Sequence, residues 1–434
     1  MMTSNQHFAY RNTELTCESV LLREAVARFG TPLYLYSRQA IVERCRGIEG
    51  AFDGHPHLVC YAVKANANPA ILRLVQEEGF GADVGSRGEL HLALRAGFRP
   101  DRITFSGVGK RDDEIEEALV RGVRAFAVES VQEIAVINQI AERRGTMGRI
   151  LLRVNLDIDA GGHAYISTSR KQNKFGIPRH QACEVLLRAS ELSHIDVRGV
   201  HSHIGSQITD VEVFLNAARS LAGLVGELRG AGLRLPDLDF GGGYGVQYHG
   251  FLRHPELPVE RPEHGDLSAA GMIRTLLPVL SATGCSLSIQ PGRAIVAESG
   301  VLVVRVLYRK ETGEKNFIIV DGGMNDLIRP SLYHAHHQIV PVRLQGASHE
   351  RVDVVGPVCE SGDFFAQDRL LPRCYRGDLL AVMGAGAYGY VIASNYNARL
   401  RPAEVLVDNE TMTLIRDRES LEDLERGTVQ GRAE

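Results

Sequence analysis

One pattern governs what this chain can fold into. From about residue 38 a short apolar or β-branched run ending in polar residues is followed by helical periodicity, and the unit recurs eight times. The runs are HLVCYAV, GADVGS, RITFSG, AFAVES, RILLRVN, VRGVHSHIG, PDLDFGGG and CSLSIQPGR. Between them lie amphipathic stretches such as AILRLVQEEG, DDEIEEALVRG and VEVFLNAARSLAGLVGELRGAG. Continuous apolar strands alternating with helices mark parallel strands covered on both faces. Eight such units close most simply into a (β/α)8 TIM-type barrel; an open doubly wound sheet is the other architecture this pattern allows. Past about residue 300 the texture changes to strands with little helical periodicity: VLVVRVLYRKE, KNFIIVDG, VDVVGPVC, DLLAVMG and AEVLVDNETMTLI. A further strand, TPLYLYS, stands near the N-terminus. The expected division is a barrel over 38–299 and an all-β domain that combines 1–37 with 300–434. The polar tail SLEDLERGTVQGRAE is expected to fray.

In such a barrel the C-terminal strand ends face the active site. In order they present Lys64; Asp83 and Ser86; Ser106; Glu129; Arg153 and Asn155; His201, His203 and Ser206; Gly241, Gly242 and Gly243; Gln290 and Arg293. Any one of these is ordinarily a cap or a solvated loop side chain. Lys64 alone reads as an amine reaching for water along its own apolar stem. An anion site on the same rim changes that reading. Three adjacent glycines in DFGGGYG let backbone N–H groups approach a phosphate without Cβ hindrance. Neither the Walker pattern nor the dinucleotide spacing is present. A lysine plus a phosphate cradle on one rim points to pyridoxal 5'-phosphate. His201 and His203 lack a third ligand at metal spacing, so no metal is expected.

The bulk numbers narrow the partners. A net charge of −4 over 434 residues gives no reason to expect nucleic acid or an anionic membrane. The seven cysteines have no CxxC spacing, and their odd number suits free thiols in a reducing cytoplasm. The first residues lack the apolar core of a signal peptide.

The motifs YAVKAN, HSHIGSQ, FGGGYG, PGR, DGGMNDLIRPSLY, GPVCESGDFFA and GAYGYVIASNYN stand in this order along the chain. In them the chain resembles the barrel-type pyridoxal-phosphate decarboxylases of the alanine-racemase-like fold, and among these the diaminopimelate decarboxylases. The resemblance implies decarboxylation of meso-2,6-diaminopimelate to L-lysine in a homodimer with shared sites. It implies that Lys64 makes the covalent link to the cofactor, that His203 stacks on its ring and that Asp83 lies near that link. Ser206, Gly241, Gly242, Gly243, Gly292 and Tyr388 would serve the phosphate. Arg293, Arg329 and Tyr333 would hold the substrate's distal carboxylate, which suits the bidentate guanidinium fork. Cys359 and Glu360 would come from the second subunit, the thiol handling the proton that replaces carbon dioxide and the carboxylate binding the distal ammonium. Arg329 precedes Pro330, so an extended or turn segment is expected there.

One position departs from the family. Gln290 stands where the family usually carries a glutamate that keeps the pyridine nitrogen protonated. Three readings stay open: a slowed enzyme, compensation by another acidic group, or a different reaction on the same cofactor. Beside the leading function stand decarboxylation of another diamino acid or of a carboxylated polyamine or siderophore precursor, and a binding or regulatory role without turnover.

Overall fold

The computed structural model describes residues 7–158, 174–260, 268–346 and 348–429. They fall into two compact units, each assembled from separate stretches of chain. The chain begins with a three-stranded meander, β1 (Phe8–Arg11), β2 (Glu14–Cys17) and β3 (Val20–Leu21), then α1 (Leu22–Phe29), β4 (Leu33–Ser37) and α2 (Arg38–Glu49).

The unit within Val42–Val246 and His264–Ile295 is the expected barrel. Its strands are β5 (His57–Ala62), β6 (Gly81–Val84), β7 (Ile103–Phe105), β8 (Ala125–Val128), β9 (Gly148–Asn155), β11 (Ile195–His201), β12 (Asp237–Asp239) and β13 (Ser286–Ile289); the two-residue β10 (Ile177–Pro178) pairs in parallel beside the last residues of β9. All pair in parallel, and β13 pairs with β5 to close the ring. The strands are buried on both faces, which is why their sequences read as unbroken apolar runs.

The helices of this unit are α3 (Pro69–Glu77), α4 (Arg87–Arg95), α5 (Asp112–Arg121), α6 (Val131–Arg144), α7 (Ala182–Ser190), α8 (Val211–Gly230) and α9 (Ala269–Ser281), with the one-turn α10 (Arg293–Val296) after β13. Local chemistry sets their starts. Asn68 accepts the Ala70 N–H at 3.0 Å with Pro69 opening α3, and Ser86 accepts the Glu89 N–H at 3.2 Å to start α4. Each such cap is worth about 1 kcal/mol. Ser86 is therefore accounted for as a cap. The helix α9 carries Pro278 within it and buries Met272, Ile273, Leu276 and Leu280.

The other unit contains the described residues of Met1–Ile41, Gln247–Glu263 and Val296–Glu434. Its strands after β4 are β14 (Gly300–Glu311), β15 (Asn316–Val320), β16 (Ile339–Pro341), β17 (His349–Val355), β18 (Phe364–Pro372), β19 (Leu379–Val382), β20 (Ala403–Asp408) and β21 (Thr411–Arg416), with short helices α11 (Arg329–Tyr333) and α12 (Leu421–Glu425). The N-terminal strand is woven in: β4 lies between β14, antiparallel, and β20, parallel. Its two tyrosines keep their hydroxyls satisfied although buried, Tyr34 donating to the Asp326 carbonyl and Tyr36 to Glu404, each at 2.7 Å. The core of this unit includes Leu33, Leu35, Val301, Val303, Val405 and Val407. It also takes in Phe251, Leu252 and Leu257, from a segment that the sequence gives no cue to separate from the barrel. Gln338 pins that segment by bonding both the N–H and the carbonyl of Leu252, at 2.7 and 2.9 Å. Of the tail expected to fray, Leu421–Glu425 is helical and 430–434 lie outside the described residues. Among the described residues no helix is long and apolar enough to cross a membrane.

Candidate active site

Lys64 stands in a single 3-10 turn, Val63–Ala65, immediately after β5. Its Nζ is 3.5 Å from Asp83 Oδ2 on β6, with the lysine side chain half exposed and the aspartate 2% exposed. Ser106, just past β7, donates to Asp83 Oδ1 at 2.5 Å. Three consecutive strand ends thus converge on one carboxylate. A pair with one partner in water adds at most about 1 kcal/mol of stability, so the consequence of this contact is orientation: it fixes where the amine points.

Further round the ring, Arg153 and Glu129 form a buried ion pair at 2.6 Å. The carboxylate also accepts the Gly176 N–H at 2.7 Å, and the guanidinium lies 4.6 Å from the centre of the Phe175 ring. These two are occupied with each other. His201 ends β11 and is fully buried; burial and then the Arg153 charge bring its pKa down to about 3, so its imidazole is neutral. His203 lies beyond the strand end and is partly exposed. Desolvation and the Lys64 charge hold its pKa well below the ordinary imidazole value. Its Nδ1 accepts the Gly242 N–H at 3.1 Å, which leaves that nitrogen without a proton. The two histidines occupy different surroundings because the strand stops between them.

The glycine turn follows β12. Gly241 and Gly243 have φ of +68° and +103°, which side chains disfavour, and a Cβ on Gly242 would run into the Gln290 carbonyl. The turn therefore packs backbone on backbone against the end of β13, and the Gln290 N–H donates to the Gly241 carbonyl at 2.7 Å. On the same rim Gly292 leaves room for Ala62 and Ala65, and the Arg293 guanidinium donates to Ser206 Oγ at 3.1 Å. Gln290 itself is buried. Its Nε2 donates to Asp239 Oδ2 at 3.2 Å, and its Oε1 is 3.3 Å from His201 Nε2. Asp239 Oδ1 accepts the Gly241 N–H at 2.8 Å, and burial raises the Asp239 pKa above the usual carboxylate range.

The remaining expected residues belong to the β unit. Arg329 is buried, and it opens α11 as a helical residue rather than lying on an extended segment. Pro330 falls in the first turn, where its missing N–H costs nothing. His337 Nδ1 donates to the Met383 carbonyl at 2.8 Å, so its Nε2 is the acceptor that meets Arg329 NH1, also at 2.8 Å. The Arg329 guanidinium sits 4.5 Å over the Tyr248 ring. Tyr333 ends the same short helix. Ser331 donates to the Gly362 carbonyl and ties α11 to the CESGD loop. On that loop Cys359 and Glu360 are exposed. The Cys359 N–H donates to Asn397 Oδ1 at 2.8 Å, and Tyr396 donates its hydroxyl to Glu360 at 3.2 Å, which raises the tyrosine pKa. Asp363 holds the loop by accepting the N–H groups of Met324 and Val358, each at 2.6 Å. Tyr388 has φ +53°, a left-handed conformation costing about 1–3 kcal/mol, of the kind that collects at functional sites.

Residues 38–297 match the family model described as the pyridoxal-dependent decarboxylase, pyridoxal binding domain. The chain is 48% identical to the diaminopimelate decarboxylase of Pseudomonas aeruginosa, over 97% of this chain and 98% of that protein. It is 42% identical to the one from Aquifex aeolicus, over 96% of each. The crystal structure of diaminopimelate decarboxylase from Helicobacter pylori complexed with L-lysine superposes with a TM-score of 0.86 at 41% identity, covering 93% of this chain and 98% of that one. The chain belongs to the diaminopimelate decarboxylases.

The cofactor of this diaminopimelate decarboxylase fold can be tested against the residues present. The rim offers an amine, a close-packed glycine turn that no Cβ could enter and a cation hydrogen-bonded to a hydroxyl beside it. That donor set fits an aldehyde-bearing phosphate ester. Gly242→Ala is expected to force the turn off the Gln290 carbonyl at about 1–3 kcal/mol. Pyridoxal phosphate affinity, measured by fluorescence titration, should fall at least about tenfold; an unchanged affinity would dissociate the turn from the cofactor. Three residues escaped the sequence reading: Asp239, Asp363 and His337. Only Asp239 had a usable signal, since an aspartate two residues before a turn glycine is a ready acceptor for that glycine's N–H.

Proposed function

We infer that the chain decarboxylates meso-2,6-diaminopimelate to L-lysine, with carbon dioxide leaving the D-configured carbon. The observation that carries this is the Lys64 amine held by Asp83 on the same barrel rim as the glycine turn, in a chain that matches diaminopimelate decarboxylases end to end. Pyridoxal phosphate, once bound, supplies the electron sink. The chain's residues do the rest. Lys64 holds the cofactor covalently, and Asp83, steadied by Ser106, keeps the amine aimed. The neutral His203 ring, fixed by Gly242, offers a flat face. The glycine turn, Ser206, Gly292 and Tyr388 take the phosphate, and Gln290 takes the ring nitrogen.

Arg329 and Tyr333 are assigned to the distal carboxylate, and so is Arg293. Glu360 binds the distal ammonium, and Cys359 delivers the proton to the carbon that has lost carbon dioxide. We assign Cys359 and Glu360 to the site of a second copy in a homodimer; their exposure on a loop fixed by Asp363 supports this. The cysteines are all free, which suits the reducing cytoplasm.

Carbon dioxide release from a panel of diamino acids tests the assignment. meso-Diaminopimelate should be the preferred substrate; preference for ornithine or lysine would overturn it. Glu360→Gln should raise KM for diaminopimelate roughly ten- to a hundredfold, the worth of a hydrogen bond to a charged group. An unchanged KM would remove Glu360 from the substrate's ammonium.

A further inference from the structure

Gln290 lacks the charge that its position in the family usually carries, and the groups behind it bear on that loss. Its side-chain amide has two neighbours among the described residues, Asp239 on one side and His201 on the other. Which end of the amide faces which neighbour follows from what each can give. An ionised Asp239 only accepts. It already takes the Gly241 N–H on Oδ1, so Oδ2 draws the amide's N–H end and leaves the carbonyl oxygen facing His201. His201 then donates from Nε2, and its buried Nδ1, which has no hydrogen-bond partner, is a bare lone pair.

The opposite arrangement needs a protonated Asp239 donating to the amide oxygen and the amide donating to His201 Nε2. That would place the imidazole proton on Nδ1 as a buried N–H with nothing to receive it. Orphaned buried donors are rarer than orphaned acceptors. On balance burial raises the Asp239 pKa, the Gly241 N–H and the Arg124 charge opposing it only in part, so the orphaned imidazole donor is what speaks for the ionised form.

We infer that Asp239 is a positioning residue for this reaction: its carboxylate takes the Gln290 amide N–H, which leaves the carbonyl oxygen as the accepting end, and supplies from one hydrogen bond further back the negative charge that Gln290 lacks. This rests on the assignment of Gln290 to the ring nitrogen of pyridoxal phosphate. A carbonyl oxygen, whose second lone pair remains after His201 is served, selects a protonated ring nitrogen, and the buried carboxylate behind it stabilises that proton. Of the explanations for Gln290, compensation by a neighbouring acid is the one the geometry supports.

The test is the nitrogen resonance of holoenzyme loaded with ring-15N pyridoxal phosphate. In the unaltered protein the signal should lie at the protonated-nitrogen position. Asp239→Asn should move it to the unprotonated position, and Asp239→Asn combined with Gln290→Glu should bring it back, a rescue that a merely structural Asp239 would not show. A signal that stays protonated in Asp239→Asn, or is unprotonated in the unaltered protein, overturns the inference. If Asp239→Asn does not fold, Gln290→Met cuts the link while keeping the carboxylate; a protonated nitrogen there is equally fatal. Failure of the underlying assignment looks different. Gln290→Met would then leave the resonance where the unaltered protein has it, whereas with the assignment intact and only the inference wrong the resonance moves with Gln290 and ignores Asp239.

Discussion

Lys64→Ala should lower turnover of diaminopimelate by at least about a thousandfold, as loss of a covalent catalytic group does in other enzymes, and should abolish the borohydride-fixed cofactor adduct. The fold should survive, because the side chain is half in water and its pairing with Asp83 adds little stability. Lys64→Arg sharpens the experiment. It preserves a cation near Asp83, but a guanidinium stays protonated and cannot attack an aldehyde. Both variants should therefore be equally dead. If Lys64→Arg retained turnover, charge rather than amine chemistry would be the requirement, and the proposed function would lose its foundation.

Arg329→Gln should be the next most damaging change. Removing one partner of a desolvated charge pair costs about 2–5 kcal/mol, roughly thirty- to several-thousandfold in kcat/KM for diaminopimelate. The loss should vanish for an amino acid without a distal carboxylate, because that substrate never used the guanidinium. An equal loss for both would mean that Arg329 maintains α11 through His337 and Tyr248 instead of binding substrate. Thermal melting separates these outcomes from simple destabilisation.

The barrel was legible because its strands are buried on both faces, so each appears as an apolar run bounded by turn residues. The helix α9 was not singled out. Pro278 interrupts it, and AAGMIRTLLPVLS has a single charged residue and so little polar face to set a period. The strand β18 was missed because FFAQDRLLP places three polar residues between its apolar ends. The placements of Lys64, the glycine turn and Arg293 at the rim follow from strand order alone. Asp239, Asp363 and His337 depend on partners remote in sequence: Gln290, Met324 and Met383. Pairings of that kind leave no periodic trace. The same limit explains Gln290, visible as an anomaly in the sequence but interpretable only with Asp239 beside it.

The detour of 247–260 into the β unit bears on how the protein can be taken apart. The catalytic fragment that sequence comparison would suggest cloning, 38–297, would carry Phe251, Leu252 and Leu257 without the sheet that shelters them. Such a truncation would present a greasy flap and invite clumping. Grafting this barrel onto another scaffold would therefore mean transplanting the excursion's hydrophobic bed along with it.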